Sequence, residues 1–173
     1  MYKRQLLFFP DFRAHERAFQ LLTQVAGRAG RSKTRGRVLL QSFSPEHPVL
    51  QQVIQNNYEA LYAQQISERK TFDYPPFYRL IRISLKARDF HKVDQASQWL
   101  ADVLNQYLPS PVLGPVDPAV ARVRNQFIKQ LMIKYPDNTQ RKQIKENVSR
   151  ALKSLEAVGQ FRAVKVNVDI DPA

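Results

Sequence analysis

Between Gln24 and Arg31 the sequence reads Gln-Val-Ala-Gly-Arg-Ala-Gly-Arg, with two arginines three residues apart and each directly after a glycine. A guanidinium is permanently charged, and its planar fork of donors matches two phosphate oxygens at once. A glycine removes the side chain where backbone must approach a ligand or a neighbouring strand. Arg28 and Arg31 can thus reach adjacent oxygens of one terminal phosphate, or a phosphate and the carboxylate that holds it. An arginine so placed offsets the charge that builds up in phosphoryl transfer, an effect worth roughly 10³–10⁵ in rate. The same spacing also describes a helix that stops at a glycine and leaves its arginines in solvent. Spacing alone leaves both readings open.

A second set of basic residues lies further along. Arg122 and Arg124 alternate with Ala121 and Val123 on an expected strand, and Lys129 and Lys134 follow on the next. Arg141, Lys142, Lys145, Arg150 and Lys153 populate an expected helix. If hairpin and helix meet at one end, they form a patch suited to phosphates or to an acidic peptide tail. The helix charges also read as a solvated face partly balanced by Glu146 and Glu156, whereas the hairpin arginines, without matching acids, favour binding. The whole chain points to a polyanionic partner: 27 Lys and Arg against 15 Asp and Glu give a net charge of +12,. No block of five consecutive basic residues occurs, so this charge sits on folded elements and not on a disordered arm,.

Other chemistries are disfavoured. There is no cysteine, hence no disulfide and no thiolate metal site, and His15, His47 and His91 stand far apart in sequence,. No metal is expected. Arg31-Ser32-Lys33-Thr34 lacks the preceding glycines of a phosphate-binding loop, and no Asp-Glu pair suited to Mg²⁺ follows an apolar strand,. No apolar run approaches the ~18 residues that span a bilayer, and Leu6-Leu7-Phe8-Phe9 is too short for a signal-peptide core,. The reading is a cytoplasmic protein with no membrane partner.

The elements that must position these residues follow from periodicity. Residues 11–24 place Phe12, Phe19, Leu22 and Val25 on one helix face, which Gly27 breaks; Arg37 to Phe43 then reads as a short buried strand,. One helix and one strand make no core, so this part is expected to be the end of a larger α/β domain. Ser44 and Pro45 suit the start of a long helix of about six turns ending near Ile66, and Lys70 to Phe77, with Tyr-Pro-Pro, reads as a linker,. Beyond it come a strand from Tyr78 to Ala87, a helix capped by Asp89, extended stretches at Val112–Val116 and Ala119–Val123, and a turn near Arg124-Asn125-Gln126. A strand from Phe127 to Tyr135, a helix opened by Asp137 or Asn138, and a last strand with Val164, Val166, Val168 and Ile170 on one side complete the order. This β-α-β-β-α-β series is the α+β ferredoxin-like arrangement. The expected organisation is residues 1–45, a connecting helix and linker at 46–75, and a carboxy-terminal domain at 76–173. Trp99 is expected to pack on the sheet, and Tyr78 to mark the junction, so neither reads as a base-stacking residue.

Asp11-Phe12-Arg13-Ala14, Glu16-Arg17 and Phe19-Gln20-Leu21-Leu22, followed by Gln24 to Arg31, resemble the last helicase motif of the primosomal replication-restart DNA helicases. The likeness continues through Val38-Leu39-Leu40-Gln41, Pro45-Glu46-His47-Pro48, Tyr74-Pro75-Pro76-Phe77, Leu113-Gly114-Pro115 and Val168-Asp169-Ile170-Asp171-Pro172, in the family's order. It covers nearly the whole chain after Leu6. The resemblance implies an ATP-driven helicase that unwinds DNA 3′ to 5′ and rebuilds replication forks. It makes residues 1–45 the tail end of a RecA-like lobe, with Gln24, Gly27, Arg28, Gly30 and Arg31 in the ATP-facing motif. Arg31 becomes the arginine finger and Arg28 its partner at the γ-phosphate. The terminal domain is implied to bind branched or forked DNA and the acidic tail of single-stranded DNA-binding protein, alongside other primosome proteins; the residues that the charge pattern offers for this are Arg122, Arg124, Lys129, Arg141, Lys142 and Lys145. ATP and Mg²⁺ belong to the full-length enzyme, and zinc to a cysteine-rich module upstream. The chain is thus expected to be a carboxy-terminal fragment that is inactive alone.

Overall fold

A computed structural model describes residues 11–29, 37–137 and 141–172. The chain divides after Phe72 into two compact units. Arg31 and Gly30, and the candidate cap Asn138, lie outside the described residues.

The first unit is helical. Helix α1 spans Ala14–Arg28, α2 Pro48–Ile54 and α3 Tyr58–Thr71. Their common core is small: Ala18, Phe19, Val49 and Leu61, with Val53 against them. Two ion pairs brace it, Arg17 to Asp11 at 2.8 Å within the first turns and Arg69 of α3 to Glu16 of α1 at 2.8 Å.

Four expectations change here. Gly27 does not end α1; the helix runs through it to Arg28, because one glycine costs only about 1 kcal/mol and Ala26 and Arg28 beside it are good helix formers. The six-turn helix is two helices: Asn56 takes a left-handed φ of 50°, and the Asn57 carboxamide caps α3 by accepting from the Ala60 amide at 3.0 Å. Asparagine tolerates that conformation and competes for backbone donors, so it breaks a pattern that apolar spacing alone would continue. The start also shifts, with His47 as the cap and Pro48, not Pro45, in the first turn. Finally, the expected strand at Arg37–Phe43 is not a strand. Leu39 and Phe43 are 82% and 84% exposed. A strand exists only through a ladder with a neighbour, and among the described residues of this unit no strand lies beside it.

The second unit follows its pattern closely. Strand β1 (Tyr78–Ala87) leads into α4 (Phe90–Tyr107), then β2 (Leu113–Val116), the two-residue β3 (Arg122–Val123), β4 (Gln126–Pro136), α5 (Arg141–Ala157), a 3₁₀ turn (Gly159–Phe161) and β5 (Lys165–Ile170). The stretch Ala119–Val123 shrinks to β3. The sheet is antiparallel, in the order β2-β4-β1-β5, with β3 also on β4. Alternation in β1 sends Ile81, Ile83 and Leu85 to the helix-covered face, where they meet Leu131 and Ile133 of β4,. Val93, Ala96, Leu100 and Leu104 of α4 and Ile144, Val148, Ala151 and Leu155 of α5 close this core, each large side chain contributing roughly 1.5–3 kcal/mol by leaving water. The Asp89 carboxylate caps α4, accepting from the His91 and Lys92 amides at 2.9 and 3.3 Å. Trp99 packs on this core, 6.2 Å from the Phe161 ring. No described helix is long and apolar enough to cross a membrane.

Candidate functional site

In the first unit, helix geometry sets the phosphate-reading residues. Gln24 and Arg28 stand one turn apart on α1, so they share a face, and both are exposed,. Gly27 lies beside them, exposed; a Cβ built there meets nothing within 4 Å. Its glycine is therefore not required by any described neighbour, and Gly27→Ala should raise the stability of this chain by about 0.5–1 kcal/mol through helix propensity. Urea denaturation followed by circular dichroism checks this; a loss of stability would mean a close neighbour that the described residues do not contain. The apolar Leu21 and Val25 are exposed on the same half of α1, whose buried residues, Ala14, Ala18 and Phe19, all lie earlier.

Two histidines that are distant in sequence come together. The rings of His15 and His47 stand edge to face, 5.3 Å apart, and His47 Nδ1 accepts from the Val49 amide at 3.3 Å. Burial, then the nearby His15, hold His47 below its ordinary pKa. Among the described residues no group of three or more His, Asp or Glu is placed to hold a metal.

In the second unit the six cations expected to form one patch are divided. Arg122 and Arg124 sit at the start of β4, whereas Arg141 and Lys142 begin α5 just beyond its end. The eleven residues of β4, at about 3.3 Å each, separate the two groups by roughly 35 Å. The hairpin and the first turn of α5 thus lie at opposite ends of β4. Lys129 is not free of acids either: its Nζ lies 3.2 Å from both Asp94 and Asp117, and its side chain is 12% exposed. Burial alone would lower its pKa, but bonds to Asp117 and Asp94 outweigh that and hold the ammonium above its ordinary value. Lys134 lies 3.8 Å from the centre of the Tyr74 ring, and burial lowers its pKa. Lys142, 92% exposed, reaches Glu146 only at 4.0 Å, and Lys145 is exposed. The hairpin turn itself carries Arg124 and Asn125 at φ 48° and 60°, and the Arg122 guanidinium donates to the Asn125 carboxamide oxygen while lying 4.8 Å over Phe127.

Sequence reasoning missed the acids that organise the other end of the sheet. Arg79 Nε donates to Asp137 at 2.5 Å and its Nη1 to Asp171 at 2.7 Å, while Arg141 reaches Asp137 at 2.6 Å. Asp171, at φ 50°, also accepts from the Leu80 amide at 3.1 Å. The signal was available only as isolated acids: Arg79 and Asp171 are 92 positions apart. The Arg79 hydrogen bond holds the Asp137 carboxyl below the usual range. A depressed carboxyl stabilises the fold above its unfolded pKa, near 4, and the contribution disappears as pH falls through the folded value. Melting temperature should therefore drop below about pH 4, and Asp137→Asn should flatten that acid limb; an unchanged limb in the variant would remove Asp137 from the cause.

Residues 70–173 match the family model for the primosomal protein N C-terminal domain. The chain belongs to the primosomal protein N (PriA) family. It is 35% identical to the replication restart protein PriA of Synechocystis sp. over 96% of this chain and 19% of the relative. The corresponding values are 32%, 96% and 20% for the protein of Bacillus subtilis, and 34%, 96% and 25% for that of Treponema pallidum. The chain thus spans about a fifth to a quarter of the PriA proteins it matches. A coverage of 96% of 173 residues leaves about seven outside, so Gln24 to Arg31 fall within the likeness to PriA. The PriA family model itself begins at residue 70 and takes in the whole second unit, including every hairpin and α5 cation.

Proposed function

We propose that this chain is the carboxy-terminal part of an ATP-dependent 3′–5′ DNA helicase that acts in replication restart in the cytoplasm. The alignment across Gln24–Arg31 with replication restart proteins carries the proposal. In it, residues 1–45 are the end of a RecA-like lobe. Leu21, Val25 and Leu39, apolar side chains that their own unit leaves exposed, support this. Gln24, Arg28 and Arg31 face a nucleotide whose phosphate-binding loop and Mg²⁺ ligands belong to upstream sequence. The second unit, with strand order β2-β4-β1-β5 and two helices on one face, reads as a ferredoxin-like module that binds forked DNA, the acidic tail of single-stranded DNA-binding protein and other primosome proteins. Zinc belongs to upstream sequence. The test is DNA-stimulated ATP hydrolysis by the full-length protein, by its Arg31→Ala variant and by the present chain, with forked-DNA affinity measured beside it.

A further inference from the structure

The two ends of the sheet in the second unit differ electrostatically. At the end where β1 begins, cations are matched: Arg79 with Asp137 and Asp171, and then Arg82 with Asp169 at 2.7 Å. At the end where β1 runs out into α4, they are not. Lys86, Arg88, Lys92, Arg122, Arg124 and Lys165 collect there, and among the described residues none of them forms an ion pair. The nearby acids are committed, Asp89 to the α4 cap and Asp94 and Asp117 to Lys129.

Strand register sharpens the contrast. Across β1 and β5, Arg82 pairs with Asp169, but four residues further Lys86 pairs with Lys165. Residues directly opposite in an antiparallel pair share one face with Cβ atoms about 5 Å apart, so this like-charge pair destabilises the isolated sheet. An anion over the pair reverses the sign of that contribution.

The same end carries an aromatic platform on the other, helix-covered face, since Phe127 lies opposite Ala87 and Lys86 alternates away from it,. Ala87 of β1 and Arg122 of β3 both pair with Phe127. Phe127 meets Phe90 edge to face at 5.5 Å, with Arg122 4.8 Å over Phe127 and Lys129 5.3 Å over Phe90. Phe90, the first residue of α4, remains 41% exposed. Exposed rings among unpaired cations are the combination that holds single strands: backbone phosphates follow the charge, and an unpaired base stacks on the ring. An acidic peptide would satisfy the cations and leave the ring unused.

We infer that a single strand of nucleic acid crosses this end of the sheet, with Lys86 and Lys165 holding phosphates on the face away from the helices, the hairpin arginines holding phosphates at the rim, and a base stacking on Phe90 on the helix-covered side. The inference rests on the reading of the second unit as DNA-binding, and it moves the contact away from the start of α5. The full 173-residue chain, titrated into a forked duplex with 2-aminopurine in its single-stranded arm, tests it by anisotropy and by 2-aminopurine emission. The chain is expected to quench the emission and to prefer the fork to a blunt duplex of equal length. Phe90→Leu should abolish the quench and weaken binding about 5- to 100-fold, with Phe90→Tyr restoring both. Lys86→Gln with Lys165→Gln should reduce the slope of log affinity against log salt by roughly 1.4. Lys142→Gln with Lys145→Gln should leave affinity within about twofold. Melting curves must show each variant folded. Binding lost in the α5 variant but kept, with its quench, in Phe90→Leu would overturn this site and leave the DNA reading standing. No binding to either DNA would overturn both, and an acidic peptide binding the sheet-end lysines in place of DNA would do the same.

Discussion

Arg31→Ala in the full-length protein should lower DNA-stimulated ATP hydrolysis by about 10³-fold or more while leaving the affinity for forked DNA within about twofold. The asymmetry comes from when the charge matters. A guanidinium aimed at the terminal phosphate gains most as negative charge shifts during phosphoryl transfer, so its removal falls on the rate and only weakly on ground-state binding. Arg28→Ala should act in the same direction, because in that reading the two forks share the oxygens of one terminal phosphate,. Arg28→Lys should not restore full activity, since an ammonium carries the charge without the bidentate geometry. The present chain should show no steady turnover, as it has no Gly-x-x-Gly-Lys-Ser/Thr loop to cradle the triphosphate,. The opposite split, with hydrolysis spared and DNA affinity reduced, would make the Gly27–Arg31 stretch a basic DNA-contacting loop and remove it from the nucleotide site.

How legible each part was depended on how local its physics is. In the second unit β1 runs from Tyr78 to Ala87 as alternation predicted, Asp89 caps α4, and Ile144, Val148, Ala151 and Leu155 face inward. Those features are set by residues within a turn or a strand of one another. The first unit was less legible because local signals there conflict or need absent partners. Val38, Leu39 and Leu40 have strand chemistry, yet pairing is a property of two strands, and the sequence of one says nothing about the other. Asn56 and Asn57 outweighed an apolar stripe that continued past them, through one left-handed residue and one capping bond. For the candidate sites, the types of charge were plain and their partners were not. Lys129 looked as free as Arg124 until α4 and the loop after β2 brought Asp94 and Asp117 to it. Nothing in the sequence singles out Phe90; only the fold puts it against Phe127 and next to the hairpin.

Gly114→Ala should destabilise the second unit by about 2–4 kcal/mol, in contrast to the gain expected for Gly27→Ala. Gly114 has φ 103°, a conformation that residues with a Cβ rarely adopt, so strain alone accounts for about 1–3 kcal/mol,. Space adds to it. A Cβ at Gly114 would stand 2.6 Å from the Gln130 carbonyl oxygen and 3.2 Å from the Val116 amide nitrogen. Both are backbone atoms of the strands that Gly114 joins, and neither can retreat without opening the β2–β4 ladder, whose register already shifts between Leu113 and Val116. Leu131, whose side chain would be the next contact at 3.4 Å, is fully buried in the core, so relief in that direction displaces packed atoms,. Guanidinium denaturation followed by Trp99, the one tryptophan and a neighbour of Phe161 in this core, reports the unit directly. A loss below about 0.5 kcal/mol would mean that the edge strand β2 shifts freely, and that the sheet is held by β4, β1 and β5 without it.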